Sequence, residues 1–270
     1  MRVLQISPHP DDELLGAPAT LIALAQAGHE VVNLAVSLGR DQDRRRRVAE
    51  VREGCARAGF ELIVSSPPHS ISRGDDLAAS RVRLTDELVR LGAKRGFDLL
   101  VGPSPHDGHP AHELVGRAAA VASAALRVPL WLWGLWGELP IPTILHPFDQ
   151  EMLERIMDAL AAHAGELERN DYRRLLVARS RATAVLGPER VFGFGASGIA
   201  ASHAELLCEV VPRSGSMLLG AARVLDPRAP LAPPTDADIS FWLVEPSVRD
   251  RLGRCADRDV DPEDVVPPMN

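Results

Sequence analysis

Cysteine is scarce in this chain, lysine almost absent, and long apolar runs are missing altogether. The three cysteines, Cys55, Cys208 and Cys255, lie far apart and none belongs to a CxxC pair. That argues against a disulfide framework and against a thiolate metal site. No apolar run reaches the roughly 18 residues that a spanning helix needs, so no membrane insertion is expected. A strand pattern begins at the second residue, with no charged leader or signal peptide ahead of it, and the expected location is cytoplasmic. Basic residues do not dominate either: 30 Lys and Arg against 37 Asp and Glu give a net charge of −7. Non-specific attraction to nucleic acid or to an anionic membrane is therefore disfavoured. Lys94 is the only lysine, a bias that a GC-rich genome explains without any appeal to function. The arginine run "RDQDRRRR" (40–47) reads as a solvated helix start in preference to a phosphate or substrate clamp.

What is present is ordinary globular material: 270 residues, 46% of them apolar, enough for a large core in one or two domains. Over the first 135 residues short apolar runs alternate with helical periodicity. RVLQIS (2–7), HEVVNLAVS (29–37), FELIVSS (60–66), FDLLVGPS (97–104) and PLWLWG (129–134) read as strands. The stretches 17–28, 44–59, 77–96 and 111–126 read as helices, two of them closed by the stop residues Gly28 and Gly59. This alternation predicts an α/β fold, a Rossmann-like, doubly wound, mostly parallel sheet with helices on both faces. Beyond it, "GELPIPTILHPFD" reads as a Pro-broken connection, and 150–186 as helical with Gly187-Pro188 as its stop. The expected organisation is a core over 1–187. Residues 188–270 form an irregular, Gly/Pro-rich extension packed on it, ending in a tail of about a dozen residues, within a single domain overall.

Two polar outbursts interrupt the pattern: SPHPDDE after the first strand and "SPHDGHPAHE" (104–113) after the fourth. In a doubly wound sheet of order 3-2-1-4-5 the strand order reverses between the first and fourth strands, and ligands bind there. The topology thus brings together His9, Asp11, Asp12, Glu13, His106, Asp107, His109 and His112. Histidines and carboxylates without sulfur suit a catalytic zinc site, with three protein ligands and an open position, although other divalent metals accept the same donors. His9 and Asp12, three apart on a tight turn entering a helix, can face one point. Asp11 then projects differently, close to the metal but outside its ligand set, where it can take a proton from water. Of His109 and His112, also three apart, one can close the triad while the other stands over the open position.

At these residues the sequence resembles the PIG-L/LmbE-type zinc deacetylases, which remove N-acetyl groups from glucosamine-containing substrates. The family's (A/S)HPDDE signature appears as "SPHPDDELLG", its HPDH signature as "HPAHELVGRAA", and a weaker R-x-x-E trace fits Arg47 and Glu50 ahead of Gly59. The resemblance runs over about 1–190. It implies His9, Asp12 and His112 as ligands of one zinc per chain, and Asp11 as general base. It makes His109 the group that stabilises the oxyanion or protonates the leaving amine, Glu13 an anchor behind the ligands, and Arg47 a substrate contact. His163 loosely matches a family histidine near the pocket. The chain departs from the family at Ala111, where HPDH has an acid, so that Asp107 is expected to orient His109 from the other side.

Three of the four tryptophans lie in "PLWLWGLWGELPIPTIL" (129–145), and Trp136 is the candidate contact for a sugar face or an apolar aglycone. The implied partner is a small-molecule glycoconjugate. Among family members the loop looks most like the deacetylases of teicoplanin-type glycopeptides, with a mycothiol-type inositol glycoside as the alternative substrate. From another class, "GFGASG" (193–198) matches the dinucleotide fingerprint G-x-G-x-x-G but sits late in the chain, where a glycine-rich turn is the better reading.

Overall fold

The computed structural model describes residues 1–71 and 75–246; Cys255 and the expected tail lie outside the described residues. The first strand, β1 (Arg2–Ser7), is buried on both faces after its first residue. It sits between β2 (Glu30–Ala35) and β4 (Leu99–Pro103), parallel to both. β3 (Glu61–Val64) extends the sheet beyond β2, and β5 (Leu130–Trp133) extends it beyond β4, again in parallel. The order 3-2-1-4-5 and the reversal between β1 and β4 are as the pattern predicts.

Helices cover both faces. On one lie α2 (Pro18–Gln26) and α3 (Arg44–Ala58), joined by α6 (Gln150–Leu160) and α8 (Tyr172–Phe192), packed on Val3, Val101, Trp131 and Trp133. On the other, α4 (Leu77–Arg95) and α5 (Pro110–Leu126) pack on Leu4, Ile6, Leu100 and Leu132. A strand buried on both faces reads as a continuous apolar run, which is why β1, β2 and β4 are plain in the sequence.

The C-terminal third differs from the irregular extension expected. Its main element is β7 (His203–Arg213), an eleven-residue strand. The second half of β7 pairs antiparallel with β5. Its first half pairs with β6 (Ile144–Phe148), inside the stretch read as a Pro-broken connection. Pro147 is tolerated in β6 because the other neighbour, β9 (Arg223–Val224), pairs only with Ile144 and Leu145. The strands β8 (Ser216–Gly220) and β10 (Pro234–Asp238) carry the sheet further, and α9 (Ser240–Val244) closes the described chain.

The helical stretch after residue 150 is also cut differently. It breaks after Leu160, passes through the short α7 (Ala164–Arg169), and restarts at α8, whose first turn Asp171 caps by accepting from the Arg174 N–H. Gly187-Pro188 does not stop α8, which runs on to Phe192 and ends at Gly193, φ 99°. Packing overrides the breaker here. The missing side chain of Gly187 lets the helix lie against Leu145 of β6, where a Cβ would come within 2.7 Å of a Leu145 methyl. "GFGASG" follows this helix and leads into a loop, with no strand before it and no helix opening from it. The dinucleotide reading falls with that geometry.

Candidate metal centre and active site

The chain leaves β1 through Pro8 to Pro10 and enters a single helical turn, α1 (Asp12–Leu15). Asp11 makes the corner with φ 118°, a conformation that costs an L-residue free energy and that clusters at functional sites. The Asp11 N–H donates to Glu13 Oε2 at 3.0 Å, and Glu13 Oε1 lies 2.6 Å from His163 Nε2, both residues being fully buried.

The second loop leaves β4 and enters α5 with Pro110 in its first turn. Gly116 allows α5 to approach the end of β4: a Cβ there would lie 2.5 Å from the Pro103 carbonyl oxygen. This close approach delivers His109 and His112 to the β1 loop.

His9, Asp12 and His112 converge, each offering a ligand atom within 4.8 Å of the others. Asp12 Oδ2 lies 3.2 Å from His9 Nδ1 and 3.3 Å from His112 Nε2, and it accepts the His9 N–H at 2.9 Å. Burial works against the Asp12 carboxylate, but His112 and His9 outweigh it and hold its pKa far below the usual range. Burial likewise opposes the His112 imidazolium, yet Asp12 and Asp107 hold its pKa up at about 10. The cluster thus draws positive charge to its centre, and two imidazoles with one carboxylate are the donor set of a divalent cation. The residues fit a metal.

Asp11 lines the cavity beside this triad and is itself buried. Burial first, then Asp12, Glu13 and Glu166, push its pKa well above the carboxylate range, with Arg47 pulling the other way. His109 faces the same space, its ring 4.7 Å from that of His112 and 5.3 Å from that of His9. Burial, reinforced by His112 and His9, lowers its pKa to about 4, so it is neutral at pH 7.

Asp107 corrects an expectation. It does not stand in for the acid missing at Ala111, because it turns to His112, with Oδ2 2.7 Å from Nδ1, and leaves the buried Nδ1 of His109 without a polar partner among the described residues. His106 also leaves the group. Its ring lies tilted against Trp242, centroids 4.8 Å apart, and it donates through Nε2 to that residue's carbonyl. His163 is not at the cavity wall; it is the buried partner of Glu13.

Above the triad opens a cavity of about 1130 Å³. Trp136 forms one wall, half-exposed and stacked on His109 at 6.1 Å. Across from the sequence expectation of a solvated face, Arg40, Arg46 and Arg47 of the arginine run also line it. Arg46 and Arg47 are committed: Glu166 on α7 takes Arg47 at 2.6 Å and Arg46 at 3.4 Å, and Arg169 joins at 3.0 Å. Arg169 in turn donates to the Tyr172 hydroxyl at 2.9 Å. Glu166, Arg169 and Tyr172 were not readable as site residues, since only tertiary packing brings α7 and α8 over the two loops. Their one local trace is Glu166 three positions after His163.

No curated protein sequence matches the chain. Among solved structures, the zinc-inhibited form of teicoplanin deacetylase Orf2 matches with a TM-score of 0.57 at 17% identity, covering 79% of this chain and 100% of the other. The A40926 pseudoaglycone deacetylase Dbv21 matches with 0.59 at 19%, covering 76% and 95%. The 4-carboxy-2-hydroxymuconate hydratase GalB of Pseudomonas putida matches with 0.57 at 16%, covering 78% and 97%. These likenesses establish the fold, which serves both deacetylases and a hydratase. The family model of the PIG-L type, described as GlcNAc-PI de-N-acetylase, matches residues 4–123. That segment holds both polar loops and all of His9, Asp11, Asp12, His109 and His112, and over it the chain is similar to the PIG-L family of de-N-acetylases.

Proposed function

We propose that the protein is a zinc-dependent hydrolase that removes the acetyl group from an N-acetylglucosaminyl unit of a larger glycoconjugate, with a glycopeptide pseudoaglycone as substrate. The observation that carries this reading is the buried His9–Asp12–His112 group with Asp11 beside it, at the floor of a cavity larger than one sugar needs. His9, Asp12 and His112 would hold one cation per chain. Bound there, it supplies Lewis-acid polarisation of the acetamide carbonyl and lowers the pKa of a water from 15.7 to about 7.

The chain's own groups do the rest. Asp11 takes the proton of the attacking water, and its raised pKa suits it to return that proton to the departing amine. His109, neutral at pH 7, presents a ring N–H to the developing oxyanion rather than acting as an imidazolium acid. Water and amide are thereby converted to acetate and a free 2-amino sugar. Glu13, with His163 behind it, holds the backbone of Asp11 in place. Arg47 and Trp136 line the space left for the aglycone.

The large aromatic-walled cavity, and the likeness to the glycopeptide deacetylases Orf2 and Dbv21, support a glycopeptide over a mycothiol-type inositol glycoside. The test is a panel of N-acetylglucosaminides with acetate release measured by mass spectrometry: a glycopeptide pseudoaglycone, an inositol glycoside and free N-acetylglucosamine. Turnover of none of them removes the deacetylase reading. Preference for the inositol glycoside removes only the substrate.

A further inference from the structure

The Asp107 carboxylate serves two structures at once. Its Oδ1 accepts the backbone N–H groups of Leu135 at 2.5 Å, Trp136 at 3.1 Å and Gly137 at 3.5 Å. Its Oδ2 lies 2.7 Å from His112 Nδ1, and neither of those two atoms has another polar partner among the described residues. The residue is buried, at 1% exposure, so none of these contacts competes with water. From this arrangement we infer that Asp107 is a positioning residue that couples the metal site to the aromatic wall. One carboxylate sets the tautomer of His112 and the path of the loop carrying Trp136. The inference rests on the metal reading above.

The chemistry makes a carboxylate necessary. His112 turns Nε2 toward Asp12, so Nε2 must offer a lone pair to a cation and Nδ1 must carry the proton. That proton needs an acceptor, which Oδ2 supplies, as carboxylates behind metal-binding histidines generally do. On the other side the three loop N–H groups also need an acceptor, which Oδ1 supplies. An amide of the same shape has one oxygen and one NH₂ and can serve only one side. Asparagine at this position would keep its oxygen on the three N–H donors and aim its NH₂ at His112 Nδ1. The imidazole then places its proton on Nε2, where the metal belongs. In the reverse sense, a cation on His112 increases the acidity of its Nδ1–H, strengthens the contact with Asp107 and steadies the three loop bonds.

The test uses the full chain freed of metal and titrated with Zn²⁺ alone. Calorimetry should show Asp107→Asn binding Zn²⁺ ten- to a hundredfold more weakly than the unaltered protein, with an unchanged far-UV spectrum as evidence of folding. Nitrogen NMR of the zinc-loaded, unaltered protein should find the single His112 proton on Nδ1, facing Asp107 Oδ2. Hydrogen exchange of a peptide covering 134–138 should slow on zinc loading in the unaltered protein and stay unchanged in the variant. Equal zinc affinity in the two proteins overturns the inference, as does exchange at 134–138 that ignores zinc. Failure of the unaltered protein to bind zinc would instead overturn the metal reading itself.

Discussion

Glu13 and His163, 150 positions apart, meet in a contact of 2.6 Å that no water reaches, and the second oxygen of Glu13 holds the N–H of Asp11. The histidine expected to touch substrate thus acts on the corner of the first loop. Room for it comes from Gly54, where a Cβ would come within 2.9 Å of His163 Nε2.

His163→Ala should destabilise the protein by about 3–5 kcal/mol, because it strands the Glu13 carboxylate in the core. Urea denaturation measures this. Burial lowers the His163 pKa, but Glu13 outweighs it and the net shift is upward. A raised folded-state pKa means that the stabilisation is complete below the unfolded value, near 6.5, and is lost as pH rises through the folded value. The melting temperature of His163→Gln should therefore depend less on pH across that window. If KM alone changed and stability did not, His163 would be a substrate contact after all.

Asp12→Ala and His112→Ala should lose bound metal, by elemental analysis, and with it all activity. Asp11→Asn should keep the metal and lose about 10²–10⁴ in kcat, the usual contribution of a positioned base. Equal metal loss in all three variants would collapse the distinction between the adjacent aspartates.

The acid limb of kcat/KM should report the ionisation of Asp11, whose base form is needed and whose pKa is raised. Glu166 adds to that rise and Arg47 opposes it. Glu166→Gln should move the limb to lower pH, and Arg47→Ala should move it to higher pH. Shifts in the same direction, or none, would separate the limb from Asp11.

Trp136→Ala should cost the bulky aromatic glycoside more than the bare sugar, by about fivefold in kcat/KM, the scale of one aromatic contact of roughly 1 kcal/mol. Metal content should be unchanged. An equal loss on both substrates would make Trp136 a support for His109, on which it stacks, and not an aglycone contact.

The five parallel strands and the switch point were legible because buried strands and polar loops contrast sharply in hydropathy. The residues within one loop, His9 to Glu13 and His109 to His112, could be given directions from spacing alone. Asp107 could not, since its choice between His109 and His112 depends on how closely α5 sits against β4. β6 and β7 escaped notice because proline and glycine around them imitate a loop; their pairing is long-range and leaves no local period. Glu166 was invisible for the same reason, being one carboxylate on a short helix until folding sets three arginines around it.

The strand β7 also says when this protein can fold. Until it pairs, the edge of β5 is open, and the buried indole of Trp131 lacks the Glu209 carboxylate that accepts its N–H at 2.9 Å. That carboxylate is in turn held by Arg223 at 2.6 Å. A nascent chain therefore carries both polar loops out of the ribosome some ninety residues before it can seal the sheet beneath them. During that interval the exposed β5 edge is the part most in need of a chaperone.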